Sequence, residues 1–322
     1  PDHTVQDRRV LMFASLMALA MLIDAALGWP RAIFDRMGHP VTWIGRLIAA
    51  MESGFNTGHD ILQRRRAGMI ATLIVVGVSA GVALAVQSML PGGWPGLILT
   101  AILAWPFLAT RSLHDHVAAV VLPLATGDLS GARQAVSAIV GRDPAQLDQA
   151  GVARAAMESL AENTSDGVVA PLFWGLVFGL PGLVAYKAIN TLDSMIGHRT
   201  ERHEHFGWFA ARLDDWVNLI PARLTSFLFA LVSGRFGEAF AIMRRDARHH
   251  RSPNAGWPEA AMAGALGVRL SGPRAYADRI APEPWINGSA PDPTPAGLDR
   301  GLSLYLRAMI ALCLALAVLA WM

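Results

Sequence analysis

Met69–Leu90 contains no charged residue, and neither does Trp94–Thr110. A helix needs about 20 apolar residues to cross the hydrocarbon core of a bilayer. These two runs, joined by the tight turn Pro91-Gly92-Gly93, read as a membrane hairpin. Leu302–Met322 is a third span, with Arg307 near its start and Trp321 at its end, where interfacial anchors belong. Val10–Trp29 is a fourth, with Asp24 inside it, an ionisable group that marks function or a membrane interface. Two further apolar stretches are ambiguous. Val168–Ala185 is interrupted by Gly179-Leu180-Pro181-Gly182, and Trp216–Ser233 contains Pro221 and Arg223. The first is either a span or two half-helices that enter and return, which is allowed where protein or water covers the broken backbone.

The composition agrees with a membrane protein that has a substantial polar part. The 322 residues are 53% hydrophobic and 16% charged, against about 25% charged in soluble domains. A net charge of +2 gives no support to nucleic-acid binding. The single cysteine, Cys313, excludes an internal disulfide and a thiolate zinc site. The first apolar run is too long for a cleavable signal peptide and lacks a small-residue cleavage site. Loop charge sets the orientation: Pro30–Arg66 carries Arg31, Arg36, Arg46, Arg64, Arg65 and Arg66, so it is expected in the cytoplasm of a bacterial inner membrane protein.

The expected fold is therefore all-α: a polytopic integral membrane protein with a cytoplasmic helical active-site region. The sequence divides into N-terminal membrane segments with an Arg-rich loop (1–110), a catalytic region at the cytoplasmic membrane interface (111–280), a Pro/Gly linker (281–301) and a C-terminal span (302–322). Within the second part, Ala132–Val140 and Leu147–Leu160 have helical patterns, separated by the turn Gly141-Arg142-Asp143-Pro144. There is no internal repeat, Walker-type phosphate loop or dinucleotide fingerprint.

Three segments carry chemistry. Glu158, Glu162 and Asp166 stand at i, i+4 and i+8, a row of carboxylates on one helix face. Oxygen ligands of this kind suit magnesium, which takes one or two carboxylates plus substrate phosphates; the bland alternative is a solvated face. The second segment holds Lys187, the one lysine in a chain otherwise supplied with arginine. An ammonium is a compact point charge and a guanidinium a planar fork, so this position is expected to need the ammonium. At helical spacing Lys187, Asn190 or Thr191, Ser194 and His198 share a face, with Asp193 adjacent and Arg199 following. In the third, Asp214-Asp215 precedes Asn218, Pro221 and Arg223, a pair of acids able to act as a base or metal contact, or else a structural Arg–Asp network. His203-Glu204-His205 and His249-His250 have weak metal-ligand spacing, and His114 and His116 read as surface or network residues.

Five stretches together resemble the adenosylcobinamide-phosphate synthase family of cobalamin biosynthesis: Glu162-Asn163-Thr164-Ser165-Asp166-Gly167-Val168-Val169-Ala170-Pro171, Tyr186–Met195, Ala211–Asp215, Pro221-Ala222-Arg223-Leu224 and Ser252-Pro253-Asn254-Ala255-Gly256. His39-Pro40-Val41, Gly45-Arg46 and Val140-Gly141-Arg142-Asp143 fit its N-terminal part, and the likeness runs from Asp24 to Tyr276. The family usually has an acidic-proline pair after its first span, where this chain has Leu27-Gly28-Trp29-Pro30-Arg31.

The resemblance implies a ligase that uses ATP and magnesium to join a corrinoid, adenosylcobyric acid, to (R)-1-amino-2-propanol or its O-phosphate. It implies catalytic roles for Lys187, Asp193, Asp214 and Asp215. Substrate and nucleotide contacts would come from Asn163, Ser165, Asn190, Thr191, Ser194, Arg199, Arg212, Arg223 and Asn254, and metal contacts from Glu158, Glu162 and Asp166. Its partners would be these small molecules, the lipid bilayer and other late cobalamin-pathway membrane enzymes. Two rival readings are a transporter, against which stands the missing inverted repeat, and the related regulatory membrane sensor associated with β-lactamase induction.

Overall fold

The computed structural model describes residues 3–58, 60–141, 143–275, 280–281 and 283–322. Arg142 and Tyr276, both inside the family-like stretches, lie outside the described residues. The chain is helical almost throughout. The helices are α1 (His3–Leu27), α2 (Arg31–Met37), α3 (Pro40–Phe55), α4 (Ile61–Met89), α5 (Gly93–Ala104), α6 (Thr110–Ala125), α7 (Leu129–Ser137), α8 (Gln149–Thr164), α9 (Ala170–Ile196), α10 (Trp208–Val217), α11 (Leu219–Val232), α12 (Phe236–Asp246), α13 (Gly256–Leu266) and α14 (Pro295–Trp321). A π-turn at Ser165–Val169 joins α8 to α9. Two-residue strands pair antiparallel, β1 (Leu270–Ser271) with β4 (Trp285–Ile286) and β2 (Arg274–Ala275) with β3 (Ile280–Ala281).

Four helical stretches are long and apolar enough to cross a membrane: Ile61–Met89, Gly93–Ala125, Gln149–Ile196 and Pro295–Trp321. Two bent pairs, Leu11–Leu27 with Arg31–Phe55 and Trp208–Val217 with Leu219–Val232, raise the number to six if each is one span. Exposure supports the membrane reading. Ile70, Leu73, Val82 and Leu84 on α4, and Ile310, Leu314 and Val318 on α14, are all more than 40% exposed. Apolar belts of that extent in water would be an aggregation liability, and a bilayer covers them.

The chain forms two compact units, each drawn from separated stretches: 1–109, 170–218 and 315–322 in the first, and 110–169 and 219–314 in the second. They interleave in sequence. In the first unit α4 packs along α9, α3 and α10, and α1 packs on α5 and α9. The predicted span over Trp94–Thr110 is interrupted: α5 stops at Ala104 because Pro106, in the 3-10 turn Trp105–Phe107, supplies no N–H to continue it.

α9 is broken at Gly179, whose φ of 69° is left-handed, a conformation glycine adopts without steric cost. The halves turn back on each other. A Cβ at Gly182 would lie 2.3 Å from the Trp174 carbonyl oxygen, and one at Gly175 3.4 Å from Leu183 Cβ. In a straight helix, positions eight apart are separated by about 12 Å. The half-helix alternative for this stretch is thus the one adopted, with 170–178 and 180–196 as its two arms. The second arm starts with Leu180 N–H donating to Gln87 Oε1 on α4 at 2.9 Å, which satisfies a backbone group that the break leaves open.

The second unit is built on small residues. α13 is buried from Pro258 to Ala265, and its alanines and Gly264 let α11, α12 and α8 approach closely. Residues of the 283–301 stretch make specific contacts. Arg154 on α8 and Arg269 both reach Asp292, at 2.6 Å and 2.5 Å, and both guanidinium groups stack on Trp285, at 4.8 Å and 4.3 Å from the ring centre. Asn287 is buried, with its N–H donating to Asp246 Oδ2 at 2.7 Å. Arg269 beside Asp292 holds that carboxyl below its ordinary value. At Asp246 burial pushes upward, but hydrogen bonds from Arg245 and from the Asn287 N–H prevail and the carboxyl is also lowered.

Candidate functional site

The Lys187 segment forms the second arm of α9 and ends at a loop, 198–207, that is fixed on its far side by α3 and α4. Glu52 on α3 accepts a bidentate pair from Arg202, at 2.7 Å and 2.6 Å, and His203 Nε2 lies 3.7 Å from the same carboxylate. Arg64 on α4 donates to the carbonyls of Glu201 and Arg202, and Asn56 Nδ2 donates to the Arg202 carbonyl. Bidentate charge-assisted contacts of this kind specify geometry as well as energy. Glycines allow backbone contact at both ends of the loop: a Cβ at Gly207 would overlap the Ile196 carbonyl, and one at Gly68 the Phe206 carbonyl. The loop therefore delivers α10 back against α9.

Between α9 and α10 the polar groups meet. Lys187 Nζ donates to Asn190 Oδ1 at 3.4 Å, and the Asn190 side chain also hydrogen-bonds to Asp214. Asn218 bridges the two helices: its Nδ2 donates to Asp214 Oδ2 at 3.0 Å, and its Oδ1 accepts from the buried Tyr186 hydroxyl at 2.9 Å. Asp214 lies within Coulombic reach of both Asp193 and Asp215. Its Oδ1 is buried and has no hydrogen-bond partner among the described residues. Thr191 and Ser194 turn their hydroxyls to the carbonyls of Lys187 and Asn190. Asp215 pairs loosely with Arg212 at 3.8 Å, and Arg199 is exposed in the loop. Lys187 is also within electrostatic reach of His39, the N-cap of α3, which the sequence reading placed only in a motif. Three carboxylates close together, met by the amides of Asn190 and Asn218 and by Arg212 and His198, with the Lys187 ammonium on Asn190, form an arrangement that can bind phosphate oxygens at a cation and accept a proton at an acid.

The remaining predicted residues belong to the second unit. Arg223 Nη1 donates to Asn254 Oδ1 at 2.7 Å and to the Leu219 carbonyl, and its guanidinium stacks on Trp257 at 4.7 Å. Ser252 caps the turn by accepting from the N–H groups of Asn254 and Ala255. A buried pair, His250 and Glu259 at 3.7 Å, lies under this turn; nine positions separate the two, a spacing that no local pattern marks.

The three carboxylates of the predicted row do not share one environment. Glu158 is buried, and its Oε1 accepts from the Ser271 N–H at 2.8 Å. Glu162 is exposed and Asp166 half-exposed, the latter on the π-turn, where the helical phase of the row is lost. Asn163 donates back to Ser159, and Ser165 Oγ is buried without a hydrogen-bond partner among the described residues. No cluster of three or more His, Cys, Asp or Glu side chains with metal-binding geometry occurs among the described residues, the neighbouring histidines of 203–205 and 249–250 included.

The family model described as CobD/Cbib protein matches residues 17–305. Among curated proteins, the chain is 66% identical to the cobalamin biosynthesis protein CobD of Rhodobacter capsulatus over 308 residues, 96% of this chain and 98% of that one. It is 48% identical to the protein of that name in Brucella suis over 90% of this chain and 91% of that one, and 45% identical to that of Sinorhizobium fredii over 94% and 96%. No solved structure matches. A family model that takes in nearly the whole chain, and relatives this similar over nearly their full length, make the chain a member of the CobD/Cbib protein family.

Proposed function

We propose that this chain, a cobalamin biosynthesis protein by family, is the ATP-dependent ligase that forms the amide between adenosylcobyric acid and (R)-1-amino-2-propanol or its O-phosphate. The observation that carries the reading is the Lys187–Asn190–Asp214 arrangement between α9 and α10, with Asp193 and Asp215 beside it. A carboxylate is a poor acyl donor. Its oxygen attacks the γ-phosphorus of ATP, ADP departs, and an acyl phosphate results. The amine nitrogen then attacks the acyl carbon and loses a proton as inorganic phosphate leaves. Lys187 neutralises charge on the phosphoryl oxygens, the expected main term in such transfers. Asp214 takes the proton from the amine, and its unpaired Oδ1 is the atom at which it would be held.

The donor set fits magnesium bound largely by substrate phosphates rather than by a protein cage. With Glu158 engaged by Ser271, Glu162 and Asp166 would hold the ion, which would supply charge neutralisation on phosphate oxygens when bound. Arg223 and Asn254 supply a further fork and amide for substrate.

The test is corrinoid amide formation by purified Lys187 variants. Losing one transition-state charge contact costs about 10²–10³ in rate. Lys187→Arg is expected to be nearly as damaging as Lys187→Ala with the protein still folded; near-normal turnover by Lys187→Arg would show that any positive charge suffices.

The same reading puts this face in the cytoplasm of a bacterial inner membrane, from Arg64, Arg65 and Arg66 at the start of α4. Cysteines placed at the exposed positions Ser53 and Ser130 are expected to resist a membrane-impermeant thiol reagent added from the periplasm. Ready labelling there would reverse the orientation.

A further inference from the structure

The first unit contains an open cavity of about 520 Å³, lined by α2, α3, α4, α5, the Trp105–Phe107 turn and the start of the second arm of α9. Its wall is almost wholly apolar, with Ser79 and the indole nitrogens as its polar groups, so it suits an alkyl chain better than a nucleoside. The volume is that of a single small ligand. Its surroundings indicate which one. α2 follows a 104° bend after α1. It turns Ile33 and Met37 to the cavity and leaves Arg31, Phe34 and Arg36 exposed, with the single acid Asp35 only 4.0 Å from Arg31. That is the pattern of a short helix lying in the plane of a bilayer surface. Three tryptophans line the same cavity: Trp29, Trp43 and Trp105. Trp43 donates its Nε1–H to the Met37 carbonyl at 3.0 Å and Trp105 donates to Gly28, whereas Trp29 Nε1 is buried with no hydrogen-bond acceptor among the described residues. Tryptophans concentrate at the headgroup level of membranes.

We infer that this cavity is a site for one anionic phospholipid, with an acyl chain inside and its headgroup on the α2 side, where Arg31 and Arg36 are exposed. The inference is independent of the ligase reading. An alkyl chain suits an apolar wall better than a polar substrate does, and the arginines give the headgroup preference, since basic residues at a membrane surface attract anionic lipid.

The experiment uses the full chain purified in mild detergent, with native mass spectrometry to count retained lipid and then exchange against phosphatidylglycerol or phosphatidylcholine. One phosphatidylglycerol per chain is expected to persist through washing and to resist excess phosphatidylcholine. Arg31→Gln with Arg36→Gln, both at exposed positions, is expected to lower the phosphatidylglycerol preference roughly tenfold. Ala83→Phe, which fills the cavity from a buried position, is expected to abolish retention. If that variant fails to fold, the arginine pair decides alone. Complete loss of lipid from the parent chain on washing, equal retention of the two lipids, or displacement of the lipid by adenosylcobyric acid would each overturn the assignment.

Discussion

The acids between α9 and α10 in the first unit and those around 246–292 in the second are handled in opposite ways. In the latter, Asp292 is matched by Arg154 and Arg269, Asp246 by Arg245 and the Asn287 N–H, and Glu259 by His250, and on α8 Glu158 is met by the Ser271 N–H. In the first, Asp193, Asp214 and Asp215 are drawn within reach of one another, and Asp214 is met by the neutral amides of Asn190 and Asn218. Buried or half-buried acids that repel one another cost stability, and a protein retains such a cluster where its chemistry requires it. Matched acids hold backbone in place. The contrast separates residues expected to set rate from residues expected to set stability.

The largest effect should come from breaking the unmatched cluster. Asp214→Asn is nearly isosteric and keeps the Asn218 contact available, so folding should be little changed while corrinoid amide formation falls by about 10²–10⁴, the usual worth of a positioned base. A fall of less than threefold would move Asp214 to the structural side of the contrast.

The matched acids should behave in reverse. Asp292→Asn is expected to lose roughly 1–3 kcal/mol of stability, because two guanidinium groups lose a charged acceptor, while turnover per folded molecule stays near normal. The pH dependence has a definite sign. Asp292 has its pKa lowered on folding by Arg269, so its contribution is fully present above the unfolded carboxyl value, about 4, and is lost as pH falls below that toward the folded value. Thermal unfolding in detergent between pH 7 and pH 3 should fall less steeply for Asp292→Asn than for the parent. Identical slopes would remove Asp292 from the matched set.

The smallest effect concerns a neutral contact. Gln87→Leu removes the acceptor for the Leu180 N–H and should cost about 1–2 kcal/mol, lowering activity only through the fraction folded.

The sequence made much of the first unit legible and less of the second. The long uncharged runs announced α4 and α14 because helix length and membrane thickness are fixed quantities. Lys187, Asn190, Thr191 and Ser194 are one turn apart on a single helix, and local periodicity reveals such a face. That Asp214 would return to meet Asn190 was not legible, because it depends on the clamp of 198–207 by Glu52 and Arg64, well over a hundred positions away. The differing surroundings of the acid row were not legible for a related reason: regular spacing assumes a regular helix, and the π-turn at Ser165–Val169 changes the phase. The stretch 281–301 reads as a linker from its Pro and Gly content, and within it Trp285 is held between two arginines from distant elements. No composition or period encodes a ring held in that way.

The fold-back at Gly179 also acts as a phase setting. Lys187 follows it by eight residues, about 12 Å along the arm, and each residue turns the helix by about 100°. With the start of the arm pinned at Leu180 by Gln87, one residue added between Gly182 and Tyr186 would leave the hairpin intact and point the ammonium away from Asn190 and Asp214. The number of residues between hairpin tip and lysine is thus as much a part of the site as the lysine is, although none of those residues carries a charge.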